Sequence, residues 1–198
     1  MTAAPRRAAA ADFERVIAAG GVAVFPADTV YGLACDPENA AAVDRLYALK
    51  GRPPEKPAAV MFFDRDAALD GLPARTRALL ERLLPGGLTV LLPNTERRFA
   101  RACGPDPETL GLRVPAVPAL AGVTVPVLQS SANLAGEPDP RTIGDVPPSI
   151  RDAADLVIDG GELPGTPSTV IDLREYEEGR WSILRLGAVS EDEVARAL

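Results

Sequence analysis

Short apolar runs separated by proline- and glycine-marked turns organise this chain. Val22–Phe25 is a compact apolar run stopped by Pro26, and its length and bounds predict a strand. The same pattern predicts strands over Ala58–Phe63, Leu88–Leu92, Leu110–Val114, Val125–Ser130, Leu156–Asp159, Thr169–Leu173 and Trp181–Leu186. Helical spacing predicts a short helix over Ala10–Ala19. A second starts at Asp36-Pro37, an Asp cap followed by Pro at the first helical position, and runs to about Lys50 with Val43, Leu46 and Tyr47 on one face. Gly51 ends it. A third covers Arg75–Leu84 with Leu79, Leu80, Leu83 and Leu84 inward, closed by Pro85-Gly86-Gly87. A fourth covers Ser190–Leu198, where Ser190 and Glu193 stand in capping-box spacing. The order of strands and helices is irregular, without strict βαβ alternation, and predicts an α+β (mixed α/β) fold, a mixed sheet with helices on its faces. No repeat or low-complexity linker interrupts the 198 residues, so one domain over 1–198 is expected, with 1–9 as a frayed N-terminus.

Composition narrows the chemistry. The chain is 46% hydrophobic and 25% charged, ordinary for a globular protein with one sizeable core. It contains no histidine, which removes Ser-His-Asp and Cys-His nucleophile systems, histidine bases and most zinc sites. Its two cysteines, Cys35 and Cys103, are far apart in sequence and read as reduced thiols of a cytoplasmic protein. No apolar run approaches the 18 or so residues of a membrane span, and the opening MTAAPRRAAA lacks the apolar stretch of a signal peptide. The net charge of −7 is concentrated in residues 137–198, which carry six basic and fourteen acidic residues. That acidic third opposes nucleic-acid wrapping but leaves room for a local basic cleft earlier in the chain.

The familiar nucleotide and hydrolase signatures, Walker A, G-x-G-x-x-G and G-x-S-x-G, do not occur. Five segments carry candidate chemistry. In Leu49–Pro57, LKGRPPEKP, the cations Lys50, Arg52 and Lys56 lie on a segment braced by Pro53, Pro54 and Pro57, and both lysines of a chain with 19 arginines fall here. Three cations on a stiff loop suit a polyphosphate, against the competing reading of a solvated charged loop. Gln129–Asn133, QSSAN, ends a strand and sets Ser131 and Asn133 two apart, toward a pocket or in a simple turn. Gly160–Thr169, GGELPGTPST, covers a ligand or is a plain surface loop. Pro26–Leu33, PADTVYGL, brings a carboxylate, a hydroxyl and a phenol together. Arg113, behind Thr109 on a strand, wants an anion, either a ligand or a structural Asp.

Taken together, from about Gly20 to Gly187, the segments PADTVYGLACD, ALKGRPPEKP, LPGGLTVLL, LGLRVPAVP, SSANLAGEPDP, GGELPGTPSTVID and ILRLG stand in the order of the YrdC-like family of L-threonylcarbamoyladenylate synthases, which the chain resembles. The resemblance implies a twisted mixed sheet with a concave, positively lined cleft. It implies an ATP-dependent nucleotidyltransferase that makes threonylcarbamoyl-AMP and pyrophosphate from threonine, bicarbonate and ATP. The product would serve threonylcarbamoyl modification of tRNA at position 37, through a downstream tRNA-modifying transferase complex. By the same resemblance Lys50, Arg52 and Lys56 hold the triphosphate, with Mg²⁺ expected but no side-chain metal motif. Ser131 and Asn133 match the S-x-N element that contacts nucleotide, and Thr109 and Arg185 fall where the family also touches ATP. Thr29 matches a threonine-binding position, Arg113 clamps the amino-acid carboxylate, and Ser168 lies in the loop that closes over it.

The chain departs from the family pattern at Ala27, Ala58, Met61, Pro167 and Leu186, where the resemblance leads one to expect Thr, Leu, His, Glu and Pro. It also stops soon after ILRLG, without the added C-terminal domain of longer members. Two alternatives therefore stand beside the synthase: a paralogue with another acceptor, such as the carbamoyl-adenylate activity of hydrogenase-maturation proteins, and an RNA-binding module without synthase activity.

Overall fold

The computed structural model describes residues 3–53 and 55–197; Met1 and Thr2 of the expected leader, Pro54 of the cation segment and Leu198 of the last helix lie outside them. Nine strands form one mixed sheet among the described residues: β1 (Ala23–Pro26), β2 (Tyr31–Cys35), β3 (Ala59–Met61), β4 (Leu88–Pro93), β5 (Thr109–Arg113), β6 (Val127–Ser131), β7 (Leu156–Val157), β8 (Thr169–Asp172) and β9 (Ser182–Arg185). Their spatial order is β7-β1-β2-β6-β3-β5-β4-β8-β9. The β7–β1, β3–β5 and β4–β8 pairs are parallel and the others antiparallel. The longer helices are α1 (Ala3–Ala18), α2 (Ala40–Lys50) and α4 (Ala74–Leu83), with shorter α3 (Arg65–Ala68), α5 (Pro148–Arg151) and α6 (Glu191–Ala197) and a 3-10 turn at Pro118–Leu120. None of the described helices is long and apolar enough to cross a membrane.

The mixed sheet and helix-covered faces agree with the sequence reading; several details correct it. β2 was hidden because Tyr31–Cys35 is buried on both faces between β1 and β6, so it shows no period-two alternation to separate it from the PADTV turn before it. α2 starts at Ala40, capped by Asn39, whose side chain accepts from Ala42 N at 3.1 Å. Asp36 instead accepts from Glu38 N at 2.9 Å, a local turn that competes with helix initiation at Pro37. Gly51 closes α2 in the left-handed conformation, as expected. α1 begins at Ala3, ahead of the expected Ala10. Ser190 and Glu193 form the expected capping box, with Ser190 N donating to the Glu193 carboxylate at 2.9 Å and Glu193 N to Ser190 Oγ at 3.3 Å.

The alternation of side chains across each strand splits the core in two. Val22, Val24, Leu33, Val60, Val90 and Leu128 join the larger core beneath α2 and α4. Ala23, Phe25, Ala34, Met61 and Val127 face the other way and join Phe13 and Ile17 of α1 and Leu120 of the 3-10 turn. Phe13 centres this second layer, with ring centroids 5.3 Å from Phe25 and 5.5 Å from Phe63. This cover reaches only half the second face. Over β5, β4 and β8 the same face presents Gly111, Thr89 and Val170, which line open recesses. These residues thus line a concavity over which none of the described helices packs.

Phe13→Ala removes a side chain with no solvent exposure. It should destabilise the fold by about 3 to 5 kcal/mol, read as a lower urea midpoint with an unchanged m-value.

Candidate active site

The concavity holds two adjoining recesses with common walls at Pro57, Ala58, Ala59, Thr89 and Val170. The first, about 230 Å³, is polar: Arg52, Arg113 and Arg185 line it together with the hydroxyls of Thr29, Thr89, Ser130, Ser131 and Ser168 and the amide of Gln129. Asp139 is the one carboxylate among its lining residues. The second, about 370 Å³, has an apolar floor of Leu91, Gly111 and Cys103, with Thr109, Asp106 and Arg174 at its edge.

The β1–β2 turn brings the first anchor. Asp28 adopts a positive φ of 61°, uncommon outside glycine but accessible to Asp. Its carboxylate accepts from Arg113 Nη2 at 2.8 Å and from Ala116 N at 3.1 Å. Both side chains of this ion pair are more than nine-tenths buried. Burial pushes the Asp28 carboxyl up while Arg113 pulls it back, and burial lowers Arg113 while Asp28 supports its charge. Arg113 Nη1 donates to Gln129 Oε1 at 3.3 Å. Gly32, opposite, has no room for a Cβ, which would stand 2.8 Å from Gln129 Nε2. So Arg113 is held by Asp28 and Gln129, yet its buried Nε has no partner; Arg52 Nε is likewise buried and unpaired. Three guanidinium groups, Arg52, Arg113 and Arg185, on one recess suit an anionic ligand.

The far wall comes from β9 and the loop before β8. Arg185 donates to Ser168 O at 2.8 Å, and Ser168 Oγ lies 2.8 Å from Thr89 Oγ1. Gly187 permits this contact, since a Cβ there would lie 2.1 Å from Pro167 O. The 160–168 loop is tied down where Gly165 N donates to Thr29 O at 2.9 Å and Gly160 N to Tyr31 Oη at 2.8 Å.

Of the expected residues, Arg52, Ser131, Arg185, Thr29, Arg113 and Ser168 meet on the first recess. Thr109 lies on the second, where its hydroxyl donates to Asp106 at 2.6 Å and accepts from Arg174 at 3.3 Å. The expected trio of cations does not gather on the recess. Lys50, the last residue of α2, turns inward and is 2% exposed. Its ammonium donates to the backbone carbonyls of Ser131 and Asn133, the latter at 2.8 Å, and to Asn133 Oδ1 at 2.9 Å. Asn133 is itself buried, with its amide nitrogen donating to Glu137 O at 2.5 Å. Lys56 is exposed and lines neither recess. Among the departures from the family pattern, Ala58 and Pro167 line the first recess, while Ala27 and Met61 are fully buried in the α1-side core. The reading by motif singled out the Asp28 carboxylate within PADTVYGL but missed Thr89 and Asp139 as site residues; Thr89 was signalled by its polarity inside the apolar run LTVLL. Cys35 and Cys103 are free and buried, with burial pushing Cys35 up to about 12. No group of three or more metal-ligating side chains occurs among the described residues.

Burial, with Arg52 adding to it and Asp139 opposing it, pulls Lys50 down to about 8 from its ordinary 10.5. It stays cationic at neutral pH, facing three oxygens. Between about 8 and 10.5 the native chain releases this proton before the unfolded chain does, so this group makes stability rise with pH there. Comparing the urea midpoints of wild type and Lys50→Met across that range should show the extra slope only in wild type. Asp28→Asn, which leaves Arg113 without its buried counter-charge, should cost about 3 kcal/mol or more of stability in the same assay.

Comparison with known proteins adds the following. The family described as telomere recombination, Sua5/YciO/YrdC, matches residues 15–187. A protein named threonylcarbamoyl-AMP synthase from Xanthomonas axonopodis pv. citri is 37% identical over 178 residues, covering 82% of this chain and 94% of that protein. One of the same name from Pyrococcus abyssi is 32% identical over 187 residues, covering 90% of this chain and 54% of its own length. Among solved structures, P. abyssi Sua5 complexed with L-threonine superposes with a TM-score of 0.79 at 30% identity, covering 98% of this chain and 56% of that one. E. coli YciO gives 0.81 at 25% identity, with coverage of 96% and 93%.

Proposed function

The chain belongs to the Sua5/YciO/YrdC family, and from that premise we propose that it is a threonylcarbamoyl-AMP synthase acting as one domain. Threonine and bicarbonate give a carbamate, whose oxygen attacks the α-phosphorus of ATP as the bond to pyrophosphate breaks. The observation that carries this reading is the gathering of three guanidinium groups, Arg52, Arg113 and Arg185, on one polar recess beside an apolar one. A ligand with a carboxylate at one end and phosphates at the other suits the polar recess, and the apolar recess accepts a purine.

In this reading Arg113, held by Asp28 and Gln129, takes the amino-acid carboxylate, with Thr29 and Ser168 hydroxyls at its sides. Arg52 and Arg185 take phosphate oxygens, Ser131 lines the phosphate path, and Thr109 stands by the nucleoside. Lys56, exposed on the same loop as Arg52, reaches the phosphates that extend from the recess. Lys50 and Asn133 support this machinery from behind rather than contacting nucleotide. The common walls at Ala58, Ala59 and Thr89 place the two substrates side by side, so catalysis needs only alignment and stabilisation of charge on the leaving pyrophosphate, with no covalent intermediate and no histidine. A lone lining carboxylate suits a Mg²⁺ ion that arrives on the phosphates rather than a resident metal; Asp139 would complete its shell, and the ion would neutralise phosphate charge. The product passes, in the cytoplasm, to a tRNA-modifying transferase complex.

Pyrophosphate release measured with ATP, bicarbonate and threonine tests the reading, and a correctly folded chain with no threonine-dependent release would refute it. Arg52→Ala should cost about 2 to 4 kcal/mol in kcat/KM, roughly thirtyfold to a thousandfold, with Tm nearly unchanged. Arg113→Lys loses the planar fork and should raise the KM for threonine far more than that for ATP.

A further inference from the structure

We propose that Lys50 is a positioning residue: its buried ammonium clamps the Ser131–Glu137 turn onto the end of α2 and thereby sets the Ser131 wall of the phosphate path. The proposal rests on the reading of the recess as an ATP site. All three ammonium protons are committed, to Ser131 O, Asn133 O at 2.8 Å and Asn133 Oδ1 at 2.9 Å, so none remains for a ligand. The clamp is two-sided, because Ala135 N donates back to Lys50 O at 2.9 Å. Asn133 Oδ1 also receives the Ser131 hydroxyl at 2.7 Å, so one cation fixes both the backbone and the side-chain orientation of the wall residue. Packing alone would be served by an apolar side chain at a position 2% exposed. A buried ammonium facing only carbonyl-type oxygens, with no carboxylate in contact, is retained where those oxygens need donors. The segments it joins are 81 residues apart in sequence, and both line the recess, Arg52 on one and Ser131 on the other. Without the clamp those two would be set independently, and a wall displaced by even an ångström weakens a positioned site.

The test uses the full chain, with Lys50→Met and Lys50→Gln, in two arms. Hydrogen exchange should speed up at least tenfold at the amides of residues 132–137 in Lys50→Met, while those of β1 and α4 hold. Calorimetric titration should show the ATP dissociation constant raised at least tenfold and that for threonine within twofold of wild type, and Lys50→Gln, which keeps two donors, should recover part of both losses. Weakened ATP binding with unchanged exchange at 132–137 would mean direct contact with ATP and overturn the proposal. So would faster exchange throughout the sheet, which would make Lys50 a general core residue. Wild type that binds no ATP would overturn the ATP reading instead, and the exchange arm would still decide the clamp. If Lys50→Met does not fold, Lys50→Gln and Asn133→Ala carry the same readouts, and failure of all three to fold also overturns the proposal.

Discussion

A sheet face covered over only half its width is the constraint on which this molecule depends. α1 and the 3-10 turn bury Phe25, Met61 and Val127 on that face, and nothing in the described residues packs beyond them. A wholly apolar open face would be a liability, and beside Leu91 and Val170 the uncovered strands carry small and polar residues: Ala59, Thr89, Gly111 and Gln129. The cleft is therefore a property of the layer arrangement, and the loops that follow β1, α2 and β6 reach its rim because their strands and helix end there.

The electrostatics follow from that geometry. Three arginines line a small recess in a chain whose net charge is −7. One of them, Arg113, is sustained in near-complete burial by Asp28, and its orientation is fixed by Asp28 and Gln129 before any ligand arrives. Such preorganisation suits a reaction that needs substrates aligned and negative charge stabilised rather than a nucleophile activated. The same logic separates the roles of cations that are neighbours in sequence. Arg52 lines the recess, and Lys50 spends every donor on the scaffold.

Much of this was legible in the residues themselves. Apolar runs bounded by Pro and Gly located most strands, and the Ser190–Glu193 pair located the last helix start, because these signals are local and depend on backbone chemistry. The absence of histidine removed histidine-based catalysis from composition alone. Six of the expected site residues meet on one recess because motifs at strand ends and loops converge once the strands pair. What escaped was whatever needs two faces or two distant segments to define it. β2 has no alternation because both its faces are buried, and the pairing of Asp28 with Arg113 of β5 is settled only when the two segments meet.

The sequence by itself determined the mixed sheet, the histidine-free chemistry and the segments from which the site is drawn. Only the tertiary structure decided which cations line the recess and which are spent on the scaffold. Side-chain direction at Lys50 is set by its place on α2 and by oxygens 81 and 83 positions away, and no pattern along a chain encodes an energy that exists only when two remote segments touch.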